Sequence, residues 1–402
     1  KSASEMHKLG FGVVNTHFPD GVVRGTGALI ALNNNADNSL RVVDGETSQH
    51  FSFRKSVTSR QSYPSSIMGS MALLRQMYND AKWYEAGNID TKDLSLEALN
   101  GNKTRLQIFE AGSRVNLLRA DKVGDAFNIQ YTIVGGGDEY ERINEVKATN
   151  ATVILPINFQ MAYDVDNPFL ASTLSLSDMR AWNQEPHNPR LLAENNIKFA
   201  LTTHGLKSKK SFSSNLIKAV KSGLSKQKAL EALTTIPANL LGKADVLGTL
   251  KTGSYANFLI TDGDIFEKQT KLYENWVQGT PHVIINRTVK NIDGDYTFKL
   301  ADNTYKLSIS GSASKPKAKI ESNTKSLGTK ISYKDHWVNL TFKTADSTKK
   351  EFIRLVANTT NGDNLSGKAT MPNGTDFSFY ASKVKKIDNK KPEDKKETAT
   401  SK

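Results

Sequence analysis

The hydrophobic pattern divides the chain into two parts with different periodicities. From residue 9 to about residue 260, short apolar segments typical of buried strands alternate with longer segments of helical spacing. The segment MGSMALLRQMYNDAKWY, for example, repeats apolar side chains at helical intervals after the cap signal Ser65-Ser66. This order predicts parallel strands joined by crossover helices. With so many units, and no GxGxxG motif after the first strand, a (β/α) barrel is favoured over a doubly wound sheet.

The second part of the chain is β-rich throughout. After residue 245 the segments are short strands separated by Gly turns, and beyond residue 294 apolar and polar residues alternate. The positions of Val338, Leu340 and Phe342 are typical of a half-buried antiparallel strand. We therefore predict a small all-β domain after the barrel.

Composition and charge narrow the classes of function. The chain has no Cys, which excludes disulfides, thiolate zinc sites and Cys nucleophiles, and no apolar run is long enough to span a bilayer. The net charge is +13 over 402 residues, but residues 385–402 form a Lys-rich linker or tail, and the other Lys residues are scattered without interleaved aromatics. We therefore expect no nucleic-acid partner and no transmembrane segment.

The most specific segment is TTIPANLLGKADVLGTLKTGSYANFLITDGDIF, at residues 234–266. It resembles the closing signature of the amidohydrolase superfamily, in which the last barrel helix returns the chain to a flanking β-sandwich. NPRLLAENNIKFALTTHG resembles the eighth strand of that family, and IFEAGSR to ATVILP resembles its fifth and sixth strands. The resemblance covers residues 9–290 and is nearest to imidazolonepropionase-like amidohydrolases.

This resemblance implies an α/β fold with an amidohydrolase-like (β/α) TIM-type barrel, flanking β-sandwich strands and a following all-β domain. The predicted boundaries are an N-terminally incomplete barrel at 1–242, a β-sandwich return segment at 243–293, the all-β domain at 294–384 and the tail at 385–402. The opening KSASEMHKLG has no initiator Met and no apolar signal core, and it leads directly into a predicted strand. We therefore expect the barrel to lack its first strand.

The resemblance also implies where metal ligands are expected. Family members place an H-x-H pair on strand one, a His on each of strands five and six, and an Asp on strand eight; the bound metal lowers the pKa of its water to about 7. Here no H-x-H occurs. Glu110 and Gly112 stand at the two His positions of the strand-five motif, Gly135 at the strand-six His and His204 at the strand-eight Asp. We therefore expect no metal and no other cofactor.

Glu110 and His204 leave two interpretations open. They are catalytic candidates if His204 acts as a base that Glu110 orients, or they are a remnant pair that bond to each other. His17 at the end of an early strand, Arg60 and Tyr63 in the polar loop FSFRKSVTSRQSYPSSIMGS, and Gly135 are candidate pocket-lining residues. The loop GGGDEY is interpreted as a tight strand-to-helix turn rather than an anion-binding nest.

We predict a catalytically degenerate half of a longer tandem polypeptide, with a structural or docking role. Its partners are then the remainder of that polypeptide or an associated subunit. One alternative is an active hydrolase of C–N bonds in cyclic amides or dipeptides, with Zn²⁺ or another divalent metal bound by ligands from an upstream segment. The other is a binding module of a cell-envelope complex. The appended Lys/Thr/Ser-rich β domain suggests the periplasm or envelope of a bacterium.

Overall fold

A computed structural model describes residues 2–87, 91–287, 290–312, 315–322, 325–334, 336–344, 351–359 and 364–384. It divides into two compact units, residues 1–284 and residues 285–402. The predicted tail at 385–402 lies outside the described residues. The domain boundaries proposed from the sequence stay predictions.

The centre of the first unit is a curled seven-stranded sheet whose spatial order follows the chain. Its strands are β1 (Val13–Thr16), β2 (Val23–Ala31), β3 (Val42–Ser52), β4 (Leu106–Glu110), β5 (Thr132–Val134), β6 (Val153–Pro156) and β7 (Phe199–Thr202). Strands β3 to β7 are parallel, as the sequence predicts for a (β/α) barrel. Strands β1 and β2 differ from that prediction because they run antiparallel to their neighbours. Their connections, residues 17–22 and 32–41, are too short for a crossover helix.

Helices follow the strands of this sheet. They are α1 (Ser2–His7), α2 (Asn38–Arg41), α3 (Ile67–Glu85), α4 (Leu94–Gly101), α5 (Arg114–Asp125), α6 (Ile143–Ala148), α7 (Pro168–Ser172), α8 (Leu176–Gln184), α9 (Asn188–Glu194), α10 (Phe212–Lys221), α11 (Lys226–Leu233) and α12 (Thr235–Leu240). Helix α3 begins where its sequence predicts, because the Ser66 hydroxyl accepts a hydrogen bond from the Gly69 N–H at 3.1 Å. Within the described residues, no helix has the length and apolar character needed to cross a membrane.

The core of the first unit lies between the sheet and these helices. Helix α5 buries Leu117, Ala120 and Val123 completely, and Phe109 of β4 and Ile133 of β5 are equally inaccessible. Burial of such side chains is the main source of folding free energy. The packing therefore fixes the strands whose C-terminal ends carry the predicted site.

A small antiparallel sheet completes the first unit. It consists of β8 (Phe258–Thr261), β9 (Leu272–Val277) and β10 (Thr280–Val283), with β9 in the middle. The Asn275 side chain donates hydrogen bonds to the carbonyl oxygens of His7 and Phe11. These bonds attach the small sheet to the segment that leads into β1.

The second unit is a nine-stranded antiparallel sheet that curls into a barrel-like shape, since β13 also packs beside β15. Its strands are β11 (Gly294–Leu300), β12 (Asn303–Ser312), β13 (Lys315–Ser322), β14 (Lys325–Leu327), β15 (Thr329–Lys334), β16 (Trp337–Lys343), β17 (Phe352–Asn358), β18 (Leu365–Thr370) and β19 (Asp376–Lys383). Val338, Leu340 and Phe342 are buried in its core. The predicted all-β domain and its alternating pattern are confirmed.

Candidate functional site

Three of the four positions singled out by the family motif lie at the ends of strands along one edge of the parallel sheet. Glu110 is the last residue of β4, Gly135 directly follows β5, and His204 lies just beyond the end of β7. In barrels built this way, the C-terminal ends of the strands form the functional face. The His204 Nε2 atom is 3.4 Å from the Glu110 Oε2 atom. The structure therefore brings the two catalytic candidates together.

Two arginines hold the Glu110 carboxylate more directly than His204 does. Arg24 donates through Nη1 to Oε2, and Arg54 donates through Nη2 to Oε1, so each carboxylate oxygen has its own guanidinium partner. The Arg24 side chain is 1% exposed, whereas that of Arg54 is 70% exposed and that of Glu110 is 13% exposed. A mostly buried carboxylate is thus compensated by one buried and one exposed cation.

The sequence interpretation missed both arginines. Arg24 lies on β2, where its side chain alternates with apolar neighbours in the segment VRGTGALIA, and its Nε donates to the Gly21 carbonyl oxygen at 3.1 Å. A charged residue inside an apolar strand was the available signal, because such a residue needs a buried partner. Burial lowers the pKa of Arg24, while the negative charge of Asp20 raises it.

Two imidazoles stack beside Arg24. His17, which follows β1, and His50 on β3 have ring centroids 3.7 Å apart with planes 7° from parallel. The His17 Nε2 atom is 3.5 Å from the Arg24 Nη1 atom, and the His50 Nε2 atom is 2.8 Å from the Ser48 hydroxyl. His17 is one of the predicted pocket-lining residues, whereas no role was predicted for His50, so the stacked pair was missed.

The surroundings keep these imidazoles neutral at pH 7. Burial, with the positive charge of Arg24 and the His204 ring, lowers the pKa of His17 to about 4. Burial and the same neighbours, together with His17, lower the pKa of His50 to about 3. Burial also lowers the pKa of His204, assisted by Arg24 and Arg54. Each ring is therefore a weak base.

The Gly135 position is filled by another acidic side chain. The Glu139 carboxylate is fully buried and accepts hydrogen bonds from Gly136 N–H at 2.7 Å, from Gly137 N–H at 3.2 Å and from Asn188 Nδ2 at 2.6 Å. A Cβ atom on Gly135 would overlap the Glu139 Oε1 atom. The glycine loop GGGDEY thus binds the carboxylate of its own Glu139, whose pKa is raised by burial.

A cavity of about 310 Å³ opens beside Glu110. Its lining residues are Phe53, Arg54, Ile67, Glu110, Ala111, Gly112 and Asn116. Among the six residues proposed from the sequence, Glu110 alone belongs to this lining. Arg60 is exposed and Tyr63 is 53% exposed, with its hydroxyl donating to the Gly69 carbonyl oxygen at 3.0 Å. The structure does not bring Arg60 or Tyr63 into contact with the Glu110 cluster.

The residues at the sheet edge do not fit a divalent metal. In the part of the chain that the structure describes, no three His, Asp or Glu side chains form a group able to hold a metal ion. Both oxygens of Glu110 face guanidinium groups, and Gly135 has no donor atom. We therefore derive no catalytic step through a metal at this edge.

Comparisons with known proteins agree with this fold. Residues 119–297 match the family model described as "Amidohydrolase family", whereas no curated protein matches the chain in sequence. The structure is similar to an amidohydrolase from Thermotoga maritima MSB8, with a TM-score of 0.57, 17% identity and coverage of 71% of this chain and 74% of that chain.

Two further solved structures resemble the chain over smaller parts. One is A. niger ochratoxinase, with a TM-score of 0.37 and 16% identity over 59% of this chain and 51% of that chain. The other is a Xaa-Pro dipeptidase with bound methionine, with a TM-score of 0.34 and 17% identity over 47% of each chain. This chain therefore spans about half the length of both. Residues 119–297 therefore match the amidohydrolase family in sequence, and the curled parallel sheet has the fold of the Thermotoga maritima amidohydrolase.

Proposed function

We propose that this chain is a catalytically degenerate amidohydrolase, which serves as a structural or docking half of a longer tandem polypeptide. The observation that carries the proposal is that Arg24 and Arg54 each bind one oxygen of Glu110. By the family resemblance, position 110 is a metal-ligand position in hydrolytic members, and here its side chain binds two guanidinium groups instead. The carboxylate is already neutralised by the protein itself.

Electrostatics support this proposal. Like unit charges 4 Å apart repel by roughly 4 kcal/mol in a partly buried site, and a divalent cation doubles that figure. A metal at Glu110 would lie close to the guanidinium group of Arg24. Because the Arg24 side chain is buried, it cannot turn into solvent to avoid the cation. The pKa values of His17 and His204 are lowered, so both rings are weak bases. Neither ring is therefore a good substitute for the metal-bound water or the anionic base of a hydrolytic site.

A docking role is supported by the connection between β6 and β7. This segment, residues 157–198, contains α7 and α8 and exposes several large apolar side chains, namely Met161, Val165, Phe169, Leu170, Leu176 and Met179. Met161 is 87% exposed and Phe169 is 75% exposed. Apolar side chains gathered on one surface segment mark interaction sites in soluble proteins. We propose the remainder of the tandem polypeptide as the partner; an envelope complex and a periplasmic location stay predictions.

Metal analysis tests the proposal. The purified chain is incubated with Zn²⁺, Mn²⁺ or Fe²⁺, freed of loosely bound ions by gel filtration, and analysed by plasma mass spectrometry. We expect far less than one equivalent of each metal to be bound per chain. The full-length polypeptide should bind no more metal than its other half binds alone.

A matched variant sharpens this test. In Arg24→Met/Arg54→Ala, the Glu110 carboxylate has lost both guanidinium partners, so any increase in metal uptake reports their exclusion of the cation. One equivalent of metal bound by the unaltered chain would overturn the proposal. It would instead favour a metal-dependent hydrolase of C–N bonds whose ligands lie in this chain, whereas uptake by the full-length polypeptide beyond that of its other half would favour ligands from another segment.

A further inference from the structure

The second unit carries a concentration of lysines on four successive strands. Between residues 303 and 334, which span β12 to β15, the sequence has seven Lys, no Arg and a single acid, Glu321. All seven side chains are exposed. We call this surface the lysine face; its members are Lys306, Lys315, Lys317, Lys319, Lys325, Lys330 and Lys334.

The strand register places no carboxylate directly opposite Lys317, Lys319 or Lys330. In antiparallel sheets, residues directly opposite each other interact, and opposite charges are favourable there. Lys317 faces Ser310, and Lys319 faces Ser308. Lys330 faces Thr341 of β16. The register of these strands therefore gathers positive charge rather than neutralising it.

Glu321 is the one acid among the described residues of β12 to β15, and Asp302 and Asp335 flank this segment in the sequence. It stands opposite Lys306, and its Oε1 atom is 2.6 Å from Lys319 Nζ. A single carboxylate thus serves two ammonium groups. The remaining strands of the unit are more balanced, since residues 336–384 contain six Lys and Arg against four Asp and Glu. The charge is asymmetric within one small domain.

The chemistry of the lysine face indicates the kind of partner. Lysine is a hydrated point charge that lacks the bidentate geometry with which arginine selects individual phosphates or carboxylates. The tyrosines of these strands, Tyr305 and Tyr333, are buried, and Trp337, which is 48% exposed opposite Lys334, is a single ring at the margin of the face. The face therefore has no row of aromatic side chains on which successive bases could stack. Anionic lipid headgroups are mobile and can rearrange around fixed ammonium groups. Their binding therefore needs neither bidentate geometry nor an aromatic platform.

We propose that the lysine face binds the surface of an anionic lipid bilayer. The attachment is peripheral and mainly electrostatic, because the exposed positions between the lysines along β12 and β15 are Ser308, Ser310 and Ser332, and Trp337 at the margin is the one exposed aromatic side chain opposite a lysine of the face in the described register. This inference rests on the second unit alone and does not depend on the proposed function of the first unit. It predicts that binding requires anionic lipid and low ionic strength.

Vesicle co-sedimentation tests the proposal with the whole chain. The chain is mixed at low salt with vesicles of phosphatidylglycerol and phosphatidylcholine, or of phosphatidylcholine alone. We expect binding only to the anionic vesicles, and its loss at about 1 M salt, where the Debye length is roughly 3 Å. Lys306→Gln/Lys317→Gln/Lys330→Gln is expected to bind about 100-fold more weakly, since each lysine near the surface contributes about a factor of five.

The matched control is Lys207→Gln/Lys209→Gln/Lys210→Gln, which removes the same charge from exposed positions of the first unit. It is expected to bind like the unaltered chain. Equal losses in the two variants would overturn the proposal, because binding would then follow net charge and not the lysine face. Binding to heparin without binding to anionic vesicles would also overturn it, and would indicate a linear polyanion as the partner.

Discussion

Arg24 on β2 donates a hydrogen bond to the carboxylate of Glu110 at the end of β4, although the two residues are 86 positions apart. The Arg24 side chain is 1% exposed, so its charge has been removed from water almost completely. A buried cation is stable only with a well-placed anion. The pair therefore ties the antiparallel β1–β2 hairpin to the parallel strands.

Replacing Glu110 with Gln should destabilise the first unit strongly. The variant leaves the buried Arg24 without a charged partner, and breaking a buried pair in this way costs about 3 to 5 kcal/mol. The free energy of unfolding, measured by urea titration with circular dichroism, is the observable. Arg24→Met/Glu110→Leu should recover most of the loss, because apolar replacement of a whole buried pair is often neutral.

A pair on the surface of the same unit provides the control. Glu194 lies 3.2 Å from Arg190 on α9, and its side chain is 53% exposed. Glu194→Gln should change the free energy of unfolding by less than about 0.5 kcal/mol. If Glu110→Gln lowers the free energy of unfolding no more than Glu194→Gln does, the Arg24–Glu110 pair does not stabilise the fold.

Gly135→Ala should lower the stability of the first unit for a reason specific to this position. Its Cβ would overlap the Glu139 Oε1 atom, which the backbone N–H groups of Gly136 and Gly137 hold in place. Overpacking of this kind costs roughly 1 to 3 kcal/mol. Thermal unfolding compares the variant with Gly45→Ala, where an added Cβ meets nothing within 4 Å.

A second background separates this clash from other effects of alanine. Glu139→Asp shortens the carboxylate, so adding Gly135→Ala to Glu139→Asp should cost less than adding it to the unaltered chain. An equal cost in both backgrounds would mean that Glu139 does not fill the space beside Gly135.

Much of the fold was predictable from hydrophobic spacing, but β3 was not. Its segment VVDGETSQHFS is polar, so the sequence interpretation identified no strand there. The structure buries its C-terminal half completely, and polar contacts satisfy the polar residues: Gln49 accepts from Asn102 at 3.0 Å, and Ser48 bonds His50. A strand buried through polar side chains lacks the apolar signal on which pattern-based prediction depends.

The candidate site was predictable to a similar degree. The proximity of Glu110 and His204 follows from their positions at the ends of parallel strands, which alignment with the family motif supplies. The roles of Arg24 and Arg54 do not follow from it, because they depend on a hairpin that the strand-then-helix pattern did not predict. Long side chains that reach across a sheet are set by tertiary geometry and not by local sequence.

Acidification should destabilise the first unit through His50. Its pKa is about 3 in the fold against 6.5 for an unperturbed imidazole, because burial, His17, Arg24 and His204 all oppose its protonation. A depressed folded pKa means that the unfolded chain binds the proton first, so stability is complete above pH 6.5 and is lost as pH falls towards 3. Between pH 7 and pH 5 this single group should remove about 2 kcal/mol.

Urea unfolding at a series of pH values measures this effect. His50→Asn should flatten the dependence between pH 7 and pH 5, whatever its effect on stability at pH 7. A slope that stays unchanged in His50→Asn would contradict the assignment.

Restoring the carboxylate that the family motif expects at position 204 should not restore metal binding. In His204→Asp a second carboxylate enters the surroundings of Glu110, but Arg24 and Arg54 still supply two positive charges to the pair. We expect the variant to be folded and to bind far less than one equivalent of Zn²⁺ after gel filtration. His204→Asp/Arg24→Met/Arg54→Ala should bind more than the single variant, because both guanidinium groups are gone. If His204→Asp alone binds one equivalent, the arginines do not exclude the cation, and position 204 is the determinant of metal loss.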